Sequence, residues 1–244
     1  MTLMAGVCSA ADPAAEASDL WEVQIGFPFW ATGLDGEIGV QNRSAHVDEN
    51  FTDIVDILDF AFGLNTEVRY CHHWLFFADM SYVQTTMDAE PGRRIGGTVD
   101  EVRLKQKEYD VDFGLGYNLF PHRALRLEPF VGGRVTWLDA ELSLAVPGPN
   151  PSFDGSKAWA DPIVGFMLQF PAGRMLSLFT EADIGGFGVS SDLTWQVNAG
   201  AELKLGRHLY TRLTYRHLET DMEDGDFVYD VRKSGPEIEF GFRF

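Results

Sequence analysis

Along most of the chain apolar and polar residues alternate with a period of two, the spacing of a half-buried β-strand. In "WQVNAGAELKL", Trp195, Val197, Ala199, Ala201, Leu203 and Leu205 share one face, and Gln196, Asn198, Gly200, Glu202 and Lys204 the other. Directly after "GRH", "LYTRLTYR" repeats the pattern, with Leu209, Leu213 and Tyr215 against Arg212, Thr214 and Arg216. Two such runs across a tight turn predict a hairpin. The cleanest run is "EYDVDFGLGYNLF", where Tyr109, Val111, Phe113, Leu115, Tyr117 and Leu119 alternate with Asp110, Asp112, Gly114, Gly116 and Asn118. Strands of this kind are expected at about 20–32, 60–71, 75–88, 99–119, 125–144, 158–171, 175–187, 194–206, 208–220 and 233–244. That is about ten strands, with eight as the alternative, because the first and fourth long connections can hide or absorb one.

The connections alternate in character. "CHHW", "PHRA", "PAGR" and "GRH" are tight, whereas 33–59, 89–98, 145–157, 188–193 and 221–232 are mostly longer and rich in Gly, Pro, Asp and Asn. Short and long connections therefore segregate to opposite ends of an up-and-down meander, the layout of an outer-membrane barrel. Alternation alone does not say which face looks inward. Three features favour an apolar face turned to lipid. Aromatics crowd the strand ends (Trp21, Trp137, Trp195, Tyr109, Tyr117, Tyr210, Tyr215), as interface girdles require. The expected strands of roughly 11–20 residues exceed the usual five or six of soluble sheets. Glycines (Gly114, Gly116, Gly132, Gly200, Gly241) recur on the polar face, suiting a cramped lumen.

Composition narrows the reading. In 244 residues there are 45% hydrophobic and 13% aromatic residues, but no apolar run approaches the roughly 18 residues of a membrane helix. A net charge of −18 and a pI near 4.6 would repel phosphate backbones, so nucleic acid is not an expected partner. "MTLMAGVCSAADPAAEASD" is like the tail of a secretory signal peptide, with 1–19 as its remnant and 20–244 as a single barrel domain. If cleavage removes Cys8, Cys71 is left as a lone thiol.

The segment "IEFGFRF", with Ile238, Phe240, Phe242 and Phe244 on alternate positions, resembles the C-terminal insertion signal of Gram-negative outer-membrane barrels. That resemblance implies recognition by the barrel assembly machinery and contact with outer-membrane lipids. The chain as a whole is similar to small porin-like and outer-membrane protein A-like barrels. "WEVQIGFPFWATGLDGEIGV", "FTDIVDILDFAFGLNTEVRY" and "WLFFADMSYVQ" resemble an uncharacterised bacterial barrel family that carries no known activity.

With apolar residues toward lipid, Glu22, Glu67, Arg69, Asp79, Asp110, Asp112, Glu128, Arg134, Asp161, Glu181, Asp183, Glu202, Lys204, Arg212, Arg216, Glu237, Glu239 and Arg243 point into the lumen. Either they satisfy one another as an ion-pair network plugging a narrow barrel, or their excess of acids makes a cation passage or binding pocket. Catalysis has a thinner basis. Barrel proteases of this membrane resemble the chain in strand number and use acidic and His residues at the outer rim. Here His72, His73, His122 and His208 fall in the short turns, and His46 in the first long connection. Only His217, near Glu219, Asp221 and the loop serines Ser190 and Ser191, suits such a site. "DENFTDIVDILDF" has helical spacing (Phe51, Ile54, Val55, Leu58), and its acids follow no calcium-loop pattern. No metal or cofactor is expected. The leading expectation is a non-enzymatic outer-membrane barrel, structural or small and porin-like; an outer-rim lipid or peptide hydrolase and a soluble lipid-binding β-barrel are the alternatives.

Overall fold

A computed structural model describes residues 20–50, 58–91, 101–121, 124–145 and 151–244. Twelve strands follow one another: β1 (Trp21–Trp30), β2 (Gly33–Val40), β3 (Arg43–Glu49), β4 (Leu58–Tyr70), β5 (Trp74–Pro91), β6 (Glu101–Tyr117), β7 (Arg126–Ala145), β8 (Ser152–Pro171), β9 (Leu176–Gly186), β10 (Leu193–Lys204), β11 (Leu209–Asp224) and β12 (Phe227–Arg243). Ten of them close a ring of antiparallel neighbours, β1-β4-β5 and onward to β12, which pairs back onto β1. Closure runs from Trp30↔Glu237 to Gln24↔Arg243, and Val23 and Phe244 exchange both backbone hydrogen bonds beyond it at 3.0 and 2.8 Å. The ring leaves no free edge at this seam, which is the condition for a sheet to stand in lipid.

The remaining two strands form a second tier. β1 pairs with one half of β12, and β2 with the other half, from Ser234↔Gly33 to Val228↔Gly39. The chain turns at Gln41 and Asn42, both with positive φ as a two-residue hairpin turn requires, and β3 returns to join β5 at Ala45↔Pro91 and His46↔Glu90. The first two staves of the barrel are therefore each made of two pieces, β1 with β2 and β3 with β4. The segment 33–59 is thus not a plain connection, because "GLDGEIG" within it is strand. Gly36 permits this with φ 146°, and a Cβ there would lie 2.1 Å from the Asp230 carbonyl oxygen. Residues 221–232 are likewise not a loop, because β11 and β12 run to a tight turn at Gly225–Asp226. The helical spacing at 51–58 lies outside the described residues apart from Leu58, which is strand.

The pleat keeps its phase along each long strand while the surroundings of the two faces change. On β6, Tyr109, Phe113, Leu115 and Tyr117 stand exposed and apolar, while Asp112 is buried in the lumen. Further along the same strand the outward positions are Arg103, Lys105 and Lys107, and the inward ones begin Val102 and Leu104, both fully buried. β7 switches between Trp137, outward, and Leu138, inward; β5 switches after Tyr82 and β11 after His217. Tyr82, Tyr109 and Trp137 stand side by side in register, with the two tyrosine rings 4.3 Å apart, and mark the boundary as an aromatic girdle. Below it, Trp74–Tyr82, Tyr109–Tyr117 and Leu209–His217 are nine residues each, the length of a tilted transmembrane strand. Above it, outward charges pair across strands, Lys105 opposite Glu141 and Lys107 opposite Asp139, as on a sheet facing water. The molecule is a transmembrane barrel carrying a soluble-type β-tower of the same strands.

The tower is filled. Ile38, Val40, Val47, Leu104, Leu138, Leu142, Met222 and Tyr229 form its apolar core with Trp159, drawn from β2, β3, β6, β7, β8, β11 and β12. β9 and β10 stop short, so among the described residues β8 pairs with β9 only from Ile163 to Pro171. Side chains close that notch. Trp159 lies 5.4 Å from the Tyr229 ring, Lys157 pairs with Asp224, and Ser191 donates from its N–H (2.8 Å) and Oγ (2.6 Å) to Asp161.

Candidate functional site

The lumen below the tower holds the greatest concentration of buried charge. Its lower layer is organised by Arg69 and Arg212. Arg69 donates to both oxygens of Glu128, from Nε at 2.9 Å and Nη2 at 2.8 Å, and its Nη1 stands 2.7 Å from Glu67. Arg212 reaches Glu67 at 2.7 Å, Glu202 at 3.0 Å and Gln24 at 3.0 Å, with Glu239 3.5 Å away. Its guanidinium lies over the Phe179 ring at 4.6 Å, where a planar cation is favoured. Towards the short-turn rim, Arg126 forks onto Glu22 at 2.6 and 3.0 Å, and Arg243 reaches Glu202 at 2.8 Å.

A middle layer follows. Arg134 holds both oxygens of Asp112 at 2.9 Å, Asp183 at 3.2 Å and the Thr194 hydroxyl at 3.0 Å. Arg216 donates twice to Gln196, stands 3.5 Å from Glu237 and packs over the Trp30 ring at 4.6 Å. Above it, buried Lys233 lies 2.6 Å from Glu108 and 3.4 Å from Asp110, and Tyr229 donates to Glu108 at 2.8 Å. Tyr229 also belongs to the tower core, so the ionic layers pass directly into apolar packing. Fork geometry and multiple donors are what allow buried ions to offset the cost of leaving water.

Of the residues expected to form one lumen network, Glu67, Arg69, Asp110, Asp112, Glu128, Arg134, Asp183, Glu202, Arg212, Arg216 and Glu239 lie in these layers. Asp161 is buried but turned to the 187–192 turn through Ser191. Glu181 is buried beside Asp79 and Asp112 around a cavity of about 40 Å³. Lys204 stands exposed at the short-turn rim, outside the layers. Tyr210, counted among the girdle aromatics in the sequence, is buried in the lumen instead, because it shares the parity of Arg212 and not that of Leu209. Lys233 and Glu108 escaped the sequence reading, although parity with Glu237 and with Asp110 marks both as inward.

The histidines do not assemble the arrangement considered from sequence. His217 points outward at the girdle, packed against Trp195 with ring centres 4.5 Å apart and planes tilted by 39°. Its Nδ1 is 2.6 Å from the Ser234 Oγ directly opposite on β12, and its Nε2 is 3.8 Å from Glu219. Ser190 and Ser191 are committed elsewhere, to the Ala160 carbonyl and to Asp161. In the full chain Cys71 is disulfide-bonded; the lone thiol is expected only of a chain from which Cys8 has been removed. Among the described residues no cluster of three or more His, Cys, Asp and Glu is arranged to hold a metal ion.

No protein family matches the chain, and no curated protein sequence does. Among solved structures, the outer-membrane protease OmpT of Escherichia coli is similar with a TM-score of 0.53 and 9% identity, over 93% of this chain and 97% of that one. The translocator domain of the autotransporter NalP of Neisseria meningitidis follows at 0.49 and 11%, covering 92% and 88%. The attachment invasion locus protein Ail of Yersinia pestis gives 0.36 and 14%, covering 92% and 97%. The likeness to OmpT runs over nearly the whole of both chains and shows the fold: this chain, a closed ring of ten strands, has the architecture of an outer-membrane β-barrel.

Proposed function

We propose that this protein is a non-conducting, non-enzymatic barrel of a Gram-negative outer membrane, closed along its axis and presenting a rigid β-tower above the outer leaflet. One observation carries the reading: the ionic layers of the lumen run without a break into the apolar core of the tower through Tyr229, Glu108 and Lys233. A solute would have to displace both a paired charge network and close-packed side chains, which makes a structural or surface-display role a better fit than a porin. On this reading the short turns face the periplasm, and Ile238, Phe240, Phe242 and Phe244 serve as the signal read by the assembly machinery. The exposed work of the protein falls to the tower, whose outward side carries Asp139, Glu141, Asp154, Glu219, Asp221 and Glu223 beside Arg103, Lys105 and Lys107.

The test is single-channel recording in planar bilayers. Absence of conductance steps from correctly folded, heat-modifiable protein supports the reading, and steady ohmic steps of tens of picosiemens or more overturn it. A second reading has one observation behind it. Ser234, His217 and Glu219 form a Ser–His–acid group at lipid level, the ingredients of ester hydrolysis, although 3.8 Å between Nε2 and Glu219 is too long for a hydrogen bond. Release of fatty acid from a short-chain ester in detergent, abolished by Ser234→Ala, would establish it; equal rates with and without the protein remove it.

A further inference from the structure

We infer that the barrel wall between β1 and β4 is a lateral binding site for a single-chain amphiphile with an uncharged, hydrogen-bond-donating head. The β1–β4 ladder begins at Trp21↔Tyr70 and stops at Gly26↔Asn65. β1 nevertheless continues to Trp30 against β12, and β4 continues up to Leu58 against β5. Among the described residues, then, Phe27–Trp30 and Leu58–Leu64 face each other across the wall without a ladder. The cause is local. Two residues past the last pair, Pro28 stands at Gly63, and proline has no N–H to donate. The contact there is steric: a Cβ on Gly63 would lie 2.7 Å from the Pro28 carbonyl oxygen and 2.8 Å from its ring.

Above that contact a cavity of about 80 Å³ crosses the wall. Phe29 and Phe62, which belong to the lipid-facing surface, line its outer part, and Gln106, Glu108 and Lys233 line its inner part. One space bounded by outward and inward side chains at once is a passage from bilayer to lumen. It opens at the girdle, where Phe60 packs 5.8 Å from Tyr82, so the medium outside is acyl chain near the headgroup boundary. The inner end supplies the chemistry. The lining already carries both signs, Glu108, Asp110 and Glu237 with Lys233 and Arg216, so a head of either charge would meet a like charge there. Gln106 is buried and donates its amide to Glu108 at 2.9 Å, but its Oε1 accepts from no donor among the described residues. A buried carbonyl oxygen without a donor is costly, and a hydroxyl or amide N–H brought in on an apolar tail would satisfy it. The volume suits such a head with a few methylenes, since one water needs only about 10–15 Å³ of such space. The rest of the tail would lie between Phe29 and Phe62 and in the bilayer.

The test uses the full chain in phospholipid vesicles and 11-bromoundecan-1-ol as probe, with quenching of Trp30 as readout, since Trp30 lines the cavity. The expected result is saturable quenching that is absent in Trp30→Phe, falls in affinity by about three- to tenfold in Gln106→Met, and is blocked in Ala61→Phe, which fills the breach without adding a fluorophore that reports as tryptophan. 11-Bromoundecanoic acid at neutral pH should bind more weakly. Quenching that grows linearly with probe and is indifferent to Gln106→Met overturns the site, and equal binding of the acid overturns the uncharged head. Should Ala61→Phe fail to fold, Gln106→Met and the Trp30→Phe difference still decide. None of these outcomes depends on axial conductance, so this inference and the closed-lumen reading fail separately.

Discussion

Replacing Arg212 with Met would remove the cation that Glu67, Glu202 and Glu239 share and leave an apolar side chain of similar length against Phe179. Glu67 keeps Arg69 at 2.7 Å and Glu202 keeps Arg243 at 2.8 Å, whereas Glu239 loses the only cation near it among the described residues. Stranding one buried carboxylate and unpairing Gln24 should cost about 3–5 kcal/mol, the range for breaking a buried pair from one side. In urea unfolding from phospholipid vesicles, followed by tryptophan fluorescence, that is a midpoint shift of roughly 1–2 M. Glu239→Gln in the Arg212→Met background should recover a large part of the loss, because it removes the stranded charge. Bilayer recordings should stay silent, since the tower core above is untouched. A loss below about 1 kcal/mol would refute the reasoning: it is the value of a solvated ion pair and would mean that the lumen is wet.

Phe113→Arg, in the middle of the apolar belt, should cost about 2–4 kcal/mol in vesicles, whereas Ser156→Arg, outward on the tower, should stay within about 0.5 kcal/mol. Leu142→Ala, in the tower core, should lower stability by about 2–5 kcal/mol in the same unfolding assay and leave heat-modifiable migration on gels unchanged. Asp221, on the outer side of the tower, has its pKa raised above the ordinary 3.8 by burial and by Asp230, Asp192, Glu223 and Glu219 around it. An acid with a raised folded pKa costs stability when ionised, so the cost is full above that pKa and fades as pH falls through it towards 3.8. Asp221→Asn should therefore stabilise the protein at pH 7 and give no gain near pH 3; a gain that is constant with pH would contradict this.

The transmembrane half was legible because period two and the lipid face coincide there. Phe113 and Asp112 differ in polarity, and the tight turns fix the register between strands. The tower was not legible for the same reason. Leu104, Leu138 and Leu142 alternate with charged or polar residues just as Phe113 does, and alternation is silent about which face meets water. The inside-out rule that holds from Tyr109 to Tyr117 ceases to apply beyond Tyr109 and Trp137, where the inward positions become apolar. β2 was hidden by Gly33, Gly36 and Gly39, which read as turn, yet Gly36 is there for close approach to β12. Lumen identities followed from parity wherever a strand end was placed correctly, and individual pairings, such as Arg134 with Asp112 or Lys233 with Glu108, needed three-dimensional closure.

Site-directed spin labelling along β6, one residue at a time from 102 to 117, with oxygen and a water-soluble nickel chelate as relaxants in bilayers, reads both faces of one strand. Odd positions from 109 to 117 should be accessible to oxygen and closed to nickel; 103, 105 and 107 should be open to nickel; and even positions should be closed to both throughout, below the girdle by the ionic layers and above it by the tower core. Nickel access at 110 and 112 would contradict the closed lumen, and oxygen access at 103 to 107 would contradict the change of surroundings at Tyr109.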